Sequence, residues 1–259
     1  MTVTQACAWS GIARRSFYYK PKRRERRVND VLAGRIRRVI DALPYAGYRT
    51  VAWLLGENKN TVQRIFQIKS WQVRKRRSGH RPRVQSLPSV ASRPNERWAT
   101  DMARVWCGEQ HHWCALTVVM DCYTRELLGW RLSPTGNAKA AEAALEEVLI
   151  NRYGLLGKAQ DSLTIRSDNG QVFCSRRYTQ TVYRYGLQQE FIRPHTPQQN
   201  GMVERLIRSV KEQCIWLHNF ASLDEARQAL GAWFHYYNHE RPHQALKMKT
   251  PRQMYQLAA

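Results

Sequence analysis

The pattern of apolar and polar positions divides the chain into two regimes. From residue 97 onward three runs read as strands: ERWATDMARVWC, HHWCALTVVMD and RELLGWRLS. Each is apolar at alternate or successive positions and ends at a short polar break, which predicts a β-meander. The period then lengthens. NAKAAEAALEEVLINRYG carries an amphipathic stripe at helical spacing. LTIRSDNG reads as a short strand ending in a turn, SRRYTQTVYRYG as a helix, LQQEFIRP as a strand and residues 201–217 as a helix. Ser222 to Glu225 form a capping box that opens a last helix running to about Tyr237. Three strands followed by alternating helix and strand predict an α/β fold, a mixed sheet with helices on both faces.

The region before residue 97 is helical throughout. TVTQACAWSGIARRSFYYKPKRRERR gives a short apolar helix, a break at Gly11 and a second helix starting near Ala13, a helix-turn-helix pattern. In that reading Arg14, Arg15, Tyr18 and Tyr19 face DNA, while Lys22, Arg23 and Arg24 begin a run that holds phosphates. VLAGRIRRVIDAL is a further helix with apolar Val31, Leu32, Ile36, Val39, Ile40 and Leu43. YRTVAWLLGENKNTVQRIF then reads as two helices around a turn, a second helix-turn-helix pattern. A basic run containing Arg74, Lys75, Arg76 and Arg77 passes into the Pro/Ser stretch QSLPSVASRPNE. The expected organisation is a helical DNA-binding region at 1–80, a linker at 81–96, an α/β core at 97–220 and a helical extension at 221–259.

Charge separates the two regimes further. The 259-residue chain carries a formal net charge of +22. Residues 1–97 hold 23 Lys/Arg against 5 Asp/Glu, a net +18, whereas residues 98–259 hold 19 against 15, a net +4. An imbalance confined to one third of the chain implies a polyanion held there and a different task for the remainder. No apolar run approaches the roughly 18–20 residues of a membrane helix, and MTVTQACAWS lacks the parts of a signal peptide. Nucleic acid is therefore the expected partner, with no membrane, in a cytoplasmic and nucleoid-associated setting. Six cysteines show no paired spacing. Cys107, His111, His112 and Cys114 are too cramped for paired zinc knuckles and fit a hairpin turn between two strands.

Three carboxylates occupy informative places. Asp101 interrupts a strand, where an unpaired acid is unfavourable. Asp168 closes a later strand, and Glu204 lies on the helix that follows IRPHTPQQNG. Sites in open α/β sheets gather at strand ends. As a set, the acids suit phosphodiester chemistry, in which two divalent ions about 3.5–4 Å apart serve the attacking and leaving oxygens. Hard Mg²⁺ prefers such oxygen ligands. Glu204, Arg208 and Lys211 share one helix face, so the acid meets metal while the two bases meet the DNA backbone. Asn200 is the expected N-cap of this helix. Three unrelated surface acids are the alternative.

WATDMARV, SDNGQVF and HTPQQNGMVERLIRSVK resemble the acidic blocks of the retroviral-integrase-like transposases, and 35 residues separate Asp168 from Glu204, as in that superfamily. WFHYYNHERPHQALKMKTP and LPYAGYRTVAWLL resemble segments of the second-reading-frame proteins of the large frameshifting family of bacterial insertion sequences. The resemblance implies an RNase H-like core with a five-stranded mixed sheet, and Asp101, Asp168 and Glu204 as a triad holding two Mg²⁺ ions, Mn²⁺ substituting. It further implies cleavage at element ends and transfer of the freed 3′-OH to target DNA. Its implied partners are the terminal inverted repeats, target DNA, further copies of the chain in a synaptic complex, and an upstream-frame protein carrying a helix-turn-helix and zipper. Asp121 is expected to be structural, and His195 either contacts substrate or packs. A non-catalytic DNA-binding regulator and a structure-specific nuclease are the rival readings.

Overall fold

The computed structural model describes residues 1–20, 28–73, 91–108, 112–154, 159, 163–193 and 196–258. The chain divides into two compact units, residues 1–73 and 74–259.

The first unit contains α1 (Val3–Ser10), α2 (Arg14–Phe17), α3 (Asp30–Ala42), α4 (Tyr48–Leu55) and α5 (Lys59–Ile68). The expected second helix near Ala13 is only one turn, α2, with no side-chain cap and no buried residue. Without an apolar stripe to bury, a sequence this short gains too little from packing to propagate. The later three helices do have such stripes. Leu32, Ala33 and Ile36 of α3 meet Val51 and Ala52 of α4 and Val62, Ile65 and Phe66 of α5 in one core. The turn between α4 and α5 starts at Gly56, whose φ of 66° is left-handed and favours glycine. It ends at Asn58, whose side chain accepts a hydrogen bond from the Asn60 N–H. Arg35 of α3 clamps the same turn through a 2.7 Å ion pair with Glu57.

The second unit is built on five strands: β1 (Arg97–Cys107), β2 (His112–Asp121), β3 (Leu127–Ser133), β4 (Thr164–Ser167) and β5 (Gln188–Phe191). Their order is β3-β2-β1-β4-β5. The meander β1–β2–β3 is antiparallel, while β4 runs parallel to β1 and to β5. The helices are α6 (Ala138–Tyr153), α7 (Arg176–Arg184), α8 (Gly201–Gln213), α9 (Leu223–His239) and α10 (Pro251–Ala258). Alternation along the strands sends successive side chains to two cores. Trp98, Val119 and Ile165 pack with α6 and α7. Ala99, Val118 and Met120 pack with α8 and α9. The α8 helix is shorter than the expected 201–217, ending at Gln213 before a 3₁₀ turn at Ile215–Leu217. Cys107 and Cys114 are buried in the β1–β2 hairpin; His111 lies outside the described residues.

Asp121, at the end of β2, is fully buried and saturated with hydrogen bonds. It accepts from the N–H groups of Asn95, Tyr123 and Thr124 and from the Thr124 hydroxyl, all within 3.0 Å. The carboxylate therefore holds the chain entering β1 to the β2–β3 turn, a structural role.

The segment YNHERPHQALKMKTP wraps the far side of the meander. Asn238 accepts from the Leu127 N–H at 2.9 Å and donates to the Leu127 carbonyl at 2.8 Å, completing the end of edge strand β3. The Tyr237 hydroxyl donates to the Arg125 carbonyl, and Arg241 Nε donates to Gln213 Oε1. His243 lies buried against the Tyr237 ring. Burial first, and then the charges of Arg241 and Arg125, push its imidazole down to about 3 against a backbone hydrogen bond to Tyr237. Between about 3 and 6.5 the unfolded chain binds this proton and the folded chain does not. Stability is accordingly retained above about 6.5 and lost as the pH falls, by about 1.4 kcal/mol per pH unit for one group. Denaturant titrations at pH 5 and 7 should show this dependence in the second unit, and His243→Phe should flatten it; an unchanged slope in the variant would refute the assignment.

Candidate active site

Asp101 lies in the central strand β1, paired across from Val118. Asp168 follows directly after β4, the parallel neighbour of β1. Its carboxylate Oδ1 accepts the Gly170 N–H at 2.9 Å. A side chain at Gly170 would place its Cβ 2.9 Å from that oxygen, so glycine lets the turn close over the acid. Asn169 fastens the turn by donating to the Ile192 carbonyl at 2.9 Å. Glu204 sits in the first turn of α8, exposed, while Val203, Leu206, Ile207, Val210 and the following Cys214 are buried.

Two hydrogen bonds fix the start of α8. Asn200 Nδ2 donates to the Thr100 carbonyl of β1 at 3.2 Å, one residue before Asp101. Arg166 Nη1 donates to the Gln199 carbonyl at 3.0 Å from β4, two residues before Asp168. The other edge of that guanidinium grips Glu190 of β5 at 2.7 and 3.0 Å. Burial works to raise the Glu190 carboxyl, but the hydrogen bonds and charge of Arg166, with Arg97, bring it below the usual carboxylate range. Asn200 thus occupies the expected N-cap position, but its side chain makes no capping hydrogen bond and reaches across to the sheet instead.

These ties bring the three acids within electrostatic reach. Burial, followed by the charges of Asp168 and Glu204, pushes the Asp101 carboxyl up to about 6, against the Met102 N–H and the Lys211 ammonium. Burial also raises Glu204. Among the described residues, no three His, Cys, Asp or Glu side chains form a ready-made metal cage. The donor set still fits a divalent ion: the ligands are hard oxygens, and a cation between them would relieve the charge that Asp168 and Glu204 impose on Asp101.

A groove of about 410 Å³ runs from Asp101, Met102 and Ala103 along α8, past Glu204, Arg208 and Lys211, to Trp216. Lys211 is half-buried and close enough to act on Asp101. Arg208 is exposed and paired with Glu212 at 2.8 Å. Arg14 and Arg15 are exposed on α2 in the other unit. Lys22, Arg23, Arg24, Arg74, Lys75, Arg76, Arg77 and His195 lie outside the described residues. The sequence reading passed over Arg166 and Trp216. An arginine inside the short strand TIRS was as conspicuous a signal as Asp101 in β1; the half-exposed Trp216 carried none until the groove placed it beside the acids.

Two family models, each described as an integrase core domain, match residues 91–197 and 185–251. Together they span more than half of the chain. An IS476 insertion-element protein of Xanthomonas euvesicatoria is 27% identical over 255 residues, covering 96% of this chain and 71% of that protein. The transposase InsD of insertion element IS2 from Escherichia coli is 26% identical over 259 residues, covering 93% and 84%. The catalytic core domain of HTLV-2 integrase, solved in complex with magnesium, superposes with a TM-score of 0.50 at 18% identity. That likeness covers 64% of this chain and 99% of the viral domain, and it identifies the sheet and its flanking helices as an RNase H-like, integrase-type core.

The raised Asp101 value carries a stability consequence. Its unfolded carboxyl ionises near 3.8 and its folded one near 6. The neutral acid's contribution is complete below about 4 and lost as pH rises through 6. In metal-free buffer at pH 8, Asp101→Asn should therefore stabilise the second unit, by on the order of 2 kcal/mol. Thermal melting with a chelator present checks this; a lower melting temperature for the variant would contradict the crowded-carboxylate description.

Proposed function

This chain belongs to the integrase-core family of bacterial insertion-sequence transposases, and we propose that Asp101, Asp168 and Glu204 are the residues with which it works on DNA. Its activity is DNA transposition, a polynucleotidyl transfer that integrates a mobile element. The finer reading is metal-dependent cleavage at the element ends, followed by transfer of the freed 3′-OH into target DNA.

What supports this reading above all is that Asp168, at the exit of β4, and Glu204, in the first turn of α8, both lie within electrostatic reach of Asp101 in β1. Asp101 and Asp168, on neighbouring parallel strands, would hold ions in common, and Glu204 would complete one site. The three carboxylates would hold Mg²⁺, two ions per site, or Mn²⁺ in its place, which would supply an activated oxygen nucleophile and neutralise charge on the leaving oxygen. Asn200 and Arg166 tie the start of α8, the helix of Glu204, to β1 and β4, the strands of the two aspartates. Precise positioning of this kind accounts for several powers of ten in rate for an in-line displacement. Arg208 and Lys211 border the same groove and would meet the DNA backbone along α8. The groove is shallow and bordered by charge, as a surface for a nucleic acid strand requires.

The first unit and the basic runs around it would supply salt-sensitive affinity for the terminal repeats. With about 6–10 phosphates neutralised, binding falls by roughly 10³–10⁵ between 50 and 200 mM salt. Joining two ends to one target calls for several copies of the chain in one synaptic complex. An upstream-frame protein bearing a helix-turn-helix and zipper would add a further pairing surface. No described helix is long and apolar enough to cross a membrane.

Strand transfer tests the reading directly. A labelled pre-cleaved element end, supercoiled plasmid and Mg²⁺ should yield joined product with the purified chain, supplemented by the upstream-frame protein. Glu204→Gln should lower joining by roughly 10³-fold or more while leaving DNA affinity within about twofold. Joined product undiminished in the variant would refute the role of Glu204.

A further inference from the structure

The DNA-binding assignment of the first unit leaves open which helix reads sequence. In α5, Val62, Ile65 and Phe66 are turned into the three-helix core, at 2% exposure or less. The opposite side presents Asn60, Gln63, Arg64 and Gln67. These positions are spaced i, i+3, i+4 and i+7, so they form one stripe along the helix. Asn60, Arg64 and Gln67 are exposed and Gln63 is half-buried at its margin.

The side-chain chemistry of this stripe is specific. Arginine pairs with the two acceptors of guanine in the major groove, and asparagine or glutamine pairs with the donor and acceptor of adenine. All four positions carry one of these types. An ordinary solvated helix face mixes both signs of charge and gains from i, i+4 ion pairs. Here no acidic residue occurs from Asn58 to Val73. The nearest one, Glu57, is taken up by Arg35 at 2.7 Å. Lys59 and Lys69 stand at the two ends of the helix, both exposed, where phosphate oxygens would flank the groove.

The local architecture agrees. α4, a three-residue turn beginning at left-handed Gly56 and α5 form a helix-turn-helix, with α3 packed behind. In that arrangement the second helix enters the major groove, its N-terminal residues against the bases. Neither α2 nor α4 carries such a stripe along its length. α2 is a single turn of four residues. In α4 the exposed Arg49 stands alone in its first turn, and the exposed large hydrophobics Trp53 and Leu54 offer no bidentate hydrogen bonding.

We propose that α5 is the sequence-reading helix of this chain, with Asn60, Gln63, Arg64 and Gln67 meeting base edges in the major groove. This deepens the DNA-binding part of the proposed function and rests on it, but not on the carboxylate chemistry.

The test is selection from a pool of randomised DNA duplexes by the full chain, in chelator and at about 200 mM salt, where non-specific binding is weak. The wild-type chain should enrich a short motif. Gln67→Arg should change the preferred base at one position of that motif, towards guanine, and leave the rest unchanged. Asn60→Ala with Gln67→Ala should weaken binding to the enriched duplex by roughly 10–100-fold and binding to a scrambled duplex by no more than about twofold. Arg14→Ala with Arg15→Ala should weaken both duplexes alike. Circular dichroism melting confirms that each variant is folded, which these surface positions permit. A motif that survives the α5 substitutions, or the absence of any enriched motif, overturns the proposal. Because the selection needs no metal, its failure leaves strand transfer untouched, and failed strand transfer with an intact motif would count against the carboxylate triad alone.

Discussion

Two side chains hold the beginning of α8 against the sheet, and the arrangement of the site depends on them. Asn200 bonds to the Thr100 carbonyl in β1, and Arg166 in β4 bonds to the Gln199 carbonyl. The strands involved are the ones that carry or deliver Asp101 and Asp168, and the helix they hold carries Glu204 one turn later. Strand order does the remainder. β1 and β4 are parallel neighbours, so their acids emerge side by side without a long loop to position them. Arg166 is in turn oriented by its bidentate grip on Glu190 in β5. A chain of contacts thus runs from the sheet edge to the helix.

The acids are gathered at an electrostatic cost. Asp101 is partly buried and surrounded by like charge, and its carboxyl responds by rising to about 6. Asp121, at the end of the adjacent strand, makes the contrast plain. It is more deeply buried, yet four hydrogen bonds satisfy it. One aspartate is built into the fold and the other is left wanting a cation. The bases of α8 are part of the same balance. Lys211 pulls the Asp101 carboxyl down, and Arg208 spans one helical turn to Glu212. A carboxylate on a basic helix is consistent with a site that must attract both metal and phosphate.

Much of this was legible in the sequence because it is local. The strand periods of residues 97–133, the helical period of 138–153 and the N-cap at Ser222 each report on neighbours a few positions away, although Glu225 accepts from the Ala221 N–H and leaves the expected capping box half formed. So do the burial of Val203, Leu206, Ile207 and Val210 and the Asp-Asn-Gly turn that displays Asp168. What the sequence hid is long-range. Asn200 looks like a cap because asparagine before a helix commonly is one, and only the fold brings Thr100 within 3.2 Å of it. The residues of YNHERPHQAL were recognisable by resemblance, but their reason is tertiary: Asn238 finishes an edge strand 111 positions earlier, and His243 is buried beneath Tyr237. The one-turn α2 stays short, with no residue buried. The polar stripe of α5 could have been read from its spacing, but residues 14–27 drew attention by their charge, which signals phosphate contact and carries no base specificity.

The central claim is that Asp101, Asp168 and Glu204 act as one cation-binding set. The most direct measurement is anomalous diffraction from crystals of the chain with a DNA end and Mn²⁺. The account predicts one or two manganese ions among these carboxylates, with ligand distances of roughly 2.0–2.3 Å and Glu204 oriented by an intact Asn200–Thr100 hydrogen bond. Manganese bound elsewhere, or a DNA-bound site in which Glu204 stays beyond ligand range of any ion, would contradict it.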